Sequence, residues 1–122
     1  MKIVLIGGYP KGFKEPFHIK TRSGRVLHKI TDDLNIKPEF FDLWKNKEEE
    51  DARVLSDKTM LMLKKLITSD YKLVALGRYI EEVLIKNNLI CEYLPHPASR
   101  DKKNLLQLQN GLRKYKVKKK FL

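Results

Sequence analysis

Cysteine is almost absent: only Cys91 occurs in the 122 residues. One thiol cannot make an internal disulfide, a CxxC redox pair or a four-cysteine metal or iron–sulfur site. Long hydrophobic runs are missing too, since none approaches the roughly 20 residues a membrane-spanning helix needs. The opening Met1–Gly8 is too short for a secretory signal and reads as a first strand. No internal repeat and no linker interrupts the chain. The acidic run Glu48–Asp51 lacks the histidine or spaced carboxylates of a metal site and reads as a solvated approach to a helix. These absences predict one cytoplasmic domain over residues 1–122, with no membrane partner, no metal and no cofactor; a monomer is expected, although nothing in the sequence sets the oligomeric state.

Acid is also scarce. Fifteen Asp and Glu face 26 Lys and Arg, for a net charge of +11, which biases the partner toward a polyanion. A lysine-rich surface that serves solubility reads the same way by charge alone. The distribution is sided, however. The last twelve residues hold Arg113, Lys114, Lys116, Lys118, Lys119 and Lys120 and no acid, and residues 116–122 are expected to form a basic, frayed tail. Apolar residues make up 42% of the chain, enough to build a core and to exclude wholesale disorder.

Four short apolar runs carry β-branched or aromatic residues: Lys2–Ile6, Glu39–Leu43, Lys72–Leu76 and Ile90–Leu94. Continuity of this kind suits strands covered on both faces. Helical spacing lies between and after them. Val26, Leu27, Ile30 and Leu34 follow Ser23 as N-cap, and Met60, Leu63 and Ile67 follow Ser56-Asp57. Ile80, Val83 and Leu84 form a third stripe. Leu105, Leu108, Leu112 and Tyr115 form a fourth after Ser99 or Asp101. The βαβαβαβα order predicts a three-layer α/β/α domain with a four-stranded parallel sheet.

In open parallel sheets the ligand sits beyond the carboxyl ends of the strands. The residues there are Gly7-Gly8-Tyr9-Pro10 with a long loop to Arg22, then Trp44-Lys45-Asn46, Gly77-Arg78-Tyr79 and Pro95–Arg100. Two prolines pin His96, whose neutral ring can donate an N–H to an oxygen gaining negative charge. A histidine filling a loop corner is the plain alternative. Ser99, Arg100, Lys102 and Lys103 offer a phosphate clamp. The glycines at 7, 8 and 12 do not make a dinucleotide fingerprint. They suit close approach of backbone N–H groups to a ligand, with Tyr9 and Phe17 as aromatic walls. Phe17 reads equally well as core. Asp42, among apolar neighbours, is either a cap or a hydrogen-bond reader. Trp44 reads as core, and His18 and His28 as surface histidines.

Gly7-Gly8-Tyr9-Pro10 and Leu94-Pro95-His96-Pro97-Ala98-Ser99 together resemble the uracil-DNA glycosylase superfamily. Pro16-Phe17 with Ser23–Leu27, Asp42-Leu43-Trp44-Lys45 and Val74–Arg78 extend the likeness, roughly from Ile3 to Leu112. The resemblance implies a uracil-DNA glycosylase-like fold and an enzyme that flips a nucleotide out of DNA, single- or double-stranded, and hydrolyses its N-glycosidic bond. It implies that His96 stabilises the departing base and that Phe17 stacks on it. Gly8 and Tyr9 would contribute backbone groups, and Asp42 would read the base edge. Ala98, Ser99 and Arg100 would push into the duplex or hold the backbone, with Lys102 beside them.

Two departures stand out. Gly8-Tyr9 occupies the place of a pair in which the family carries a water-positioning acid. Asp42 stands where an asparagine reads uracil, and an ionised aspartate accepts hydrogen bonds but cannot donate them. It would repel uracil's O4 and would read uracil only if protonated. The chain is also short for the family. The expected function is excision of uracil or a related deaminated base, in DNA repair, by an intracellular, nucleoid-associated protein. The alternative is an inactive glycosylase-like module that binds nucleic acid or a protein partner.

Overall fold

The computed structural model of the chain describes residues 2–116. Its elements are β1 (Lys2–Gly7), α1 (Arg22–Leu34), β2 (Glu39–Asp42), α2 (Lys47–Ala52), α3 (Asp57–Thr68), β3 (Tyr71–Leu76), α4 (Arg78–Lys86), β4 (Glu92–Leu94) and α5 (Lys102–Arg113). The four strands pair in the order β2-β1-β3-β4, all parallel. The α/β class and the parallel sheet are those expected from the alternation of apolar runs and helical stripes.

Side chains alternate across a strand, so each central strand feeds two cores. Ile3 and Leu5 of β1, with Val74 and Leu76 of β3, pack with Leu27 and Leu34 of α1 and Leu108 and Leu112 of α5. Val4, Ile6, Leu73 and Ala75 point the other way, onto Leu63 of α3 and Ile80, Val83 and Leu84 of α4. Helices therefore cover both faces. The placement follows from handedness: the path moves sideways from β1 to β2, then reverses to reach β3. Crossovers of one hand must then change faces, which puts α1 opposite α3 and α4.

Several elements differ locally from the sequence reading. The N-cap of α1 is Thr21, whose Oγ1 accepts from the Gly24 amide at 3.0 Å, while Ser23 is buried inside the first turn. β4 starts only at Glu92, and Ile90 is 90% exposed. Leu66 packs on the core where Ile67 was expected, and Tyr115 is buried just past the end of α5. A fifth helix, α2, occupies the acidic run and buries none of its residues. Of the basic tail, only Lys116 falls within the described residues, and the expected fraying of 117–122 lies outside them. Among the described residues no helix is long and apolar enough to cross a membrane.

The long connection from β1 is tied to the start of α1 by close backbone packing. A Cβ on Gly24 would collide with the carbonyl oxygens of His18 and Phe17. Thr21 Oγ1 also donates to the His18 carbonyl at 2.7 Å. Replacing a helical glycine by alanine ordinarily stabilises by about 0.5–1 kcal/mol. Here a backbone clash opposes that gain, and overpacking of this kind costs about 1–3 kcal/mol. Gly24→Ala is therefore expected to lower stability in a urea titration. A gain would show that the connection is not seated on α1 as described.

Candidate functional site

The carboxyl edge of the sheet holds a narrow cavity of about 60 Å³, lined by Gly8, Tyr9, Pro10, Lys11, Phe17, Thr21, Ser23, Asp42, Glu50 and His96. Its centre is the end of β1. The β1–β2 ladder runs on past the strands, with the Leu43 amide donating to the Gly7 carbonyl at 3.1 Å and the Trp44 amide to the Gly8 carbonyl at 2.9 Å. Gly7 and Gly8 continue the alternation of the strand, so the positions their side chains would take lie on opposite faces. A Cβ on Gly7 would meet the Phe17 ring and lie 3.0 Å from Asp42 Oδ1. A Cβ on Gly8 would strike the Glu50 carboxylate and lie 3.9 Å from the Trp44 ring. The two glycines make a notch, occupied from one face by an aromatic ring and a carboxylate, and from the other by a second carboxylate.

Phe17 is both core and wall. Its ring belongs to the cluster under α1, tilted against Phe40 at 6.0 Å between centroids, and it borders the cavity. Its backbone sits at φ 53, a region costly for a residue with a Cβ. His28 Nε2–H helps hold it there by donating to the Phe17 carbonyl at 3.0 Å. His28 is therefore a half-buried structural residue, packed on Phe40 at 5.1 Å. His18 stacks on Phe13 at 4.3 Å, away from the cavity lining.

His96 is oriented through one ring nitrogen. The Ala98 amide donates to Nδ1 at 3.0 Å, so the lone pair is there and the neutral ring carries its proton on Nε2. Among the described residues Nε2 has no hydrogen-bond partner. Burial and, to a lesser degree, the nearby Lys11 ammonium lower the His96 pKa below its ordinary 6.5. The ring is thus a neutral N–H donor at neutral pH. Gly77, at φ 105, starts α4 beneath it, and its amide donates to the Leu94 carbonyl at 2.8 Å, fixing the strand that leads into Pro95-His96-Pro97.

Asp42 is the electrostatic oddity. Its Oδ2 is buried and has no hydrogen-bond partner among the described residues. Burial, reinforced by the neighbouring Glu50 carboxylate, raises its pKa from 3.8 to about 7. An unsatisfied acid poised between its two forms is unfavourable for folding, and such groups gather where a ligand supplies the missing partner.

The remaining expected site residues sit beside the cavity. Ser99 Oγ accepts from Asn104 Nδ2 at 3.0 Å and from the Asp101 amide at 3.3 Å, so it helps organise the entry to α5. Arg100 and Lys102 are exposed on that entry. Arg22, at the start of α1, bridges to the same loop through its Nε–H and the Ala98 carbonyl at 3.4 Å. With Lys11 and Lys103 they form the basic rim of this edge. Arg113 and Lys114 lie elsewhere. α5 carries them back to the amino edge, where Tyr115 lines a cleft with Lys2, Ile3 and Tyr71, and Lys114 pairs with Glu92 at 2.9 Å.

Glu50 is the residue missed in the sequence, hidden in a run of four acids. Its neighbours are otherwise engaged: Glu49 Oε2 accepts from the Lys45 amide at 3.1 Å, Asp51 pairs with Lys47 at 3.4 Å, and Glu48 is exposed. Asn46, which caps α2 by accepting from the Glu49 amide at 2.9 Å, was the available signal that a helix begins there. Among the described residues no group of three or more His, Cys, Asp or Glu converges as a metal site. Comparisons with protein-family models, curated proteins and solved structures find no match.

The raised Asp42 pKa has a definite sign in the stability of the fold. Between about pH 3.8 and 7 the folded chain keeps a proton on Asp42 that the unfolded chain releases, so this contribution is lost as pH rises through that window. Asp42→Asn is expected to raise the melting temperature more at pH 8 than at pH 5. An equal effect at both pH values would place the Asp42 pKa near its ordinary range.

Proposed function

We propose that the protein is a compact DNA base glycosylase of uracil-DNA glycosylase-like fold. It takes a flipped nucleotide at the carboxyl edge of its sheet and hydrolyses the bond between sugar and base. The observation that carries this reading is the His96 tautomer: a neutral ring, fixed through Nδ1, with an unpartnered Nε2–H at the cavity wall. Cleavage of an N-glycosidic bond leaves negative charge on the base carbonyl, and a pre-set donor stabilises that charge without reorganising. Phe17 supplies an aromatic face, Asp42 a reader for the base edge, and Lys11, Arg22, Arg100 and Lys102 phosphate contacts at the rim.

The cavity as it stands has room for a few water molecules, so entry of a base requires its wall to move. The outer wall suits that demand. Between Tyr9 and Phe17 the connection makes one backbone hydrogen bond to itself, from the Phe13 amide to the Pro10 carbonyl at 3.1 Å. The substrate is uracil or a related deaminated base, read by protonated Asp42. In that form the carboxyl donates to the carbonyl that deamination leaves in place of an exocyclic amine.

The test is base excision at enzyme excess. Single- and double-stranded oligonucleotides carrying uracil, hypoxanthine, xanthine or a normal base are followed by alkaline cleavage. The wild-type protein is expected to cleave a deaminated substrate, and His96→Ala to lose about 100-fold or more in rate while still binding the strand. Salt-sensitive binding without cleavage of any substrate would instead make this a binding module.

The pH profile provides a second prediction. Uracil excision needs Asp42 protonated and His96 neutral, so its rate is expected to fall above about pH 7 and again on the acid side, at a lower pH than an ordinary histidine would set because burial depresses the His96 pKa. The titratable groups that line the cavity with Asp42 are Tyr9, Lys11, Glu50 and His96, and, besides burial, the Glu50 carboxylate is the charge that raises its pKa. Asp42→Asn should remove the alkaline fall and keep the acid one. A wild-type rate that stays flat from pH 6 to 9 would show that Asp42 does not read the base.

A further inference from the structure

Hydrolysis of a glycosidic bond needs two services: stabilisation of the leaving base, and removal of a proton from the attacking water. Tyr9, Pro10 and Lys11, which follow the β1 notch, offer no carboxylate for the second. The cavity wall supplies one from another element, since the Glu50 side chain of α2 fills the space left by the missing side chain of Gly8.

This placement is built. α2 buries none of its residues, so its own packing cannot orient it. It is clamped from outside at the Glu50 end. Tyr79 Oη donates to the Glu50 carbonyl at 2.6 Å. Trp44 meets the Tyr79 ring edge-on at 5.7 Å and donates from Nε1 to the Val54 carbonyl at 3.0 Å. Arg53, which caps α2, lies over the Tyr79 ring at 4.6 Å. Among the described residues no hydrogen bond or ion pair engages the Glu50 carboxylate, whereas Glu49 accepts from the Lys45 amide ahead of the helix and Asp51 pairs with Lys47 within it. Asp42 and Glu50 reach the notch from opposite faces of β1, one beside the Phe17 ring and the other away from it. That separates a base-edge reader from a proton acceptor.

We propose that Glu50 is the general base of the hydrolysis, holding the attacking water at the Gly8 side of the notch; this assignment rests on the glycosylase reading above. The water oxygen forms a bond to C1′ of the sugar as a water proton passes to the Glu50 carboxylate. The C1′–N bond breaks, and its electron pair leaves with the base, whose carbonyl accepts from His96 Nε2–H. The base anion then takes a proton from solvent, and Glu50 returns its proton to solvent. The sum is water plus nucleotide giving free base and an abasic sugar.

Single-turnover excision of a uracil-containing single-stranded oligonucleotide tests the assignment in the full chain. Glu50→Gln is expected to lose about 100-fold or more in rate, with oligonucleotide affinity within about twofold and an unchanged circular dichroism spectrum. Gly8→Ala is the second variant. Its methyl displaces only the flexible end of Glu50, so it should fold, bind and lose rate in the same way. A third readout needs no turnover: removing the Glu50 charge should lower the Asp42 titration midpoint seen by carboxyl NMR. Wild-type rates in Glu50→Gln, with His96→Ala inactive, would overturn the Glu50 assignment and leave the glycosylase reading standing. Absence of excision by the wild-type protein on every base would overturn both.

Discussion

Two side chains that are not there organise this edge of the molecule. At the end of β1 the alternation of a strand continues through Gly7 and Gly8, and each vacancy is taken by a group from elsewhere in the chain. Phe17 and Asp42 close on the first and Glu50 on the second. β1 is hydrogen-bonded on both sides, by β2 and β3. The three side chains are therefore referenced to one fixed point although they arrive on a loop, a strand end and a short helix. A methyl group at either glycine would push one of them out of register, which makes the notch a constraint on the site more than on the fold.

The cost of this arrangement is visible in conformation and in charge. Phe17 is held at positive φ by contacts with α1 and His28, and Asp42 is buried with an oxygen left unpaired. The positive φ of Phe17 and the unpaired oxygen of Asp42 both oppose folding, even though the Phe17 ring packs in the core, and each is tolerated because its surroundings over-determine it. α2 shows the same logic at the level of an element. Lacking an apolar face, it depends on Trp44, Tyr79 and Arg53 to hold its carboxyl end against the sheet.

The buried framework was legible because periodicity and capping report on the same forces that pack it. β1 and β3 read as strands since residues covered on both faces must be apolar, and Ser56 marked the start of α3 since its hydroxyl accepts the Thr59 amide. The carboxyl-edge rule brought His96, Phe17, Asp42, Gly8 and Tyr9 to one cavity. Where local chemistry offered two answers, the sequence could not choose. Thr21 and Ser23 are both competent caps, and only the His18 carbonyl beside Thr21 decides between them. Ile90 looks like strand but has no element to cover it. Glu50 was illegible for another reason: four consecutive acids have the pattern of a solvated face, and its inward turn depends on Tyr79, 29 residues away in sequence.

The opposed placement of the cationic groups bears on how much of the +11 charge acts at the cavity. α5 begins beside His96 and ends at the amino edge, so Arg113 and Lys114 are separated from the basic rim by the length of the sheet. A six-residue strand spans roughly 20 Å, while the Debye length at physiological ionic strength is about 8 Å. Across more than two screening lengths Arg113 and Lys114 add almost nothing to the potential felt at the notch. Lys114 is further neutralised by Glu92. Among the described residues the cation that lines the cavity is Lys11, with Arg22, Arg100, Lys102 and Lys103 on the rim beside it, so an anion arriving at this edge meets the rim's charge and is screened from that of Arg113 and Lys114.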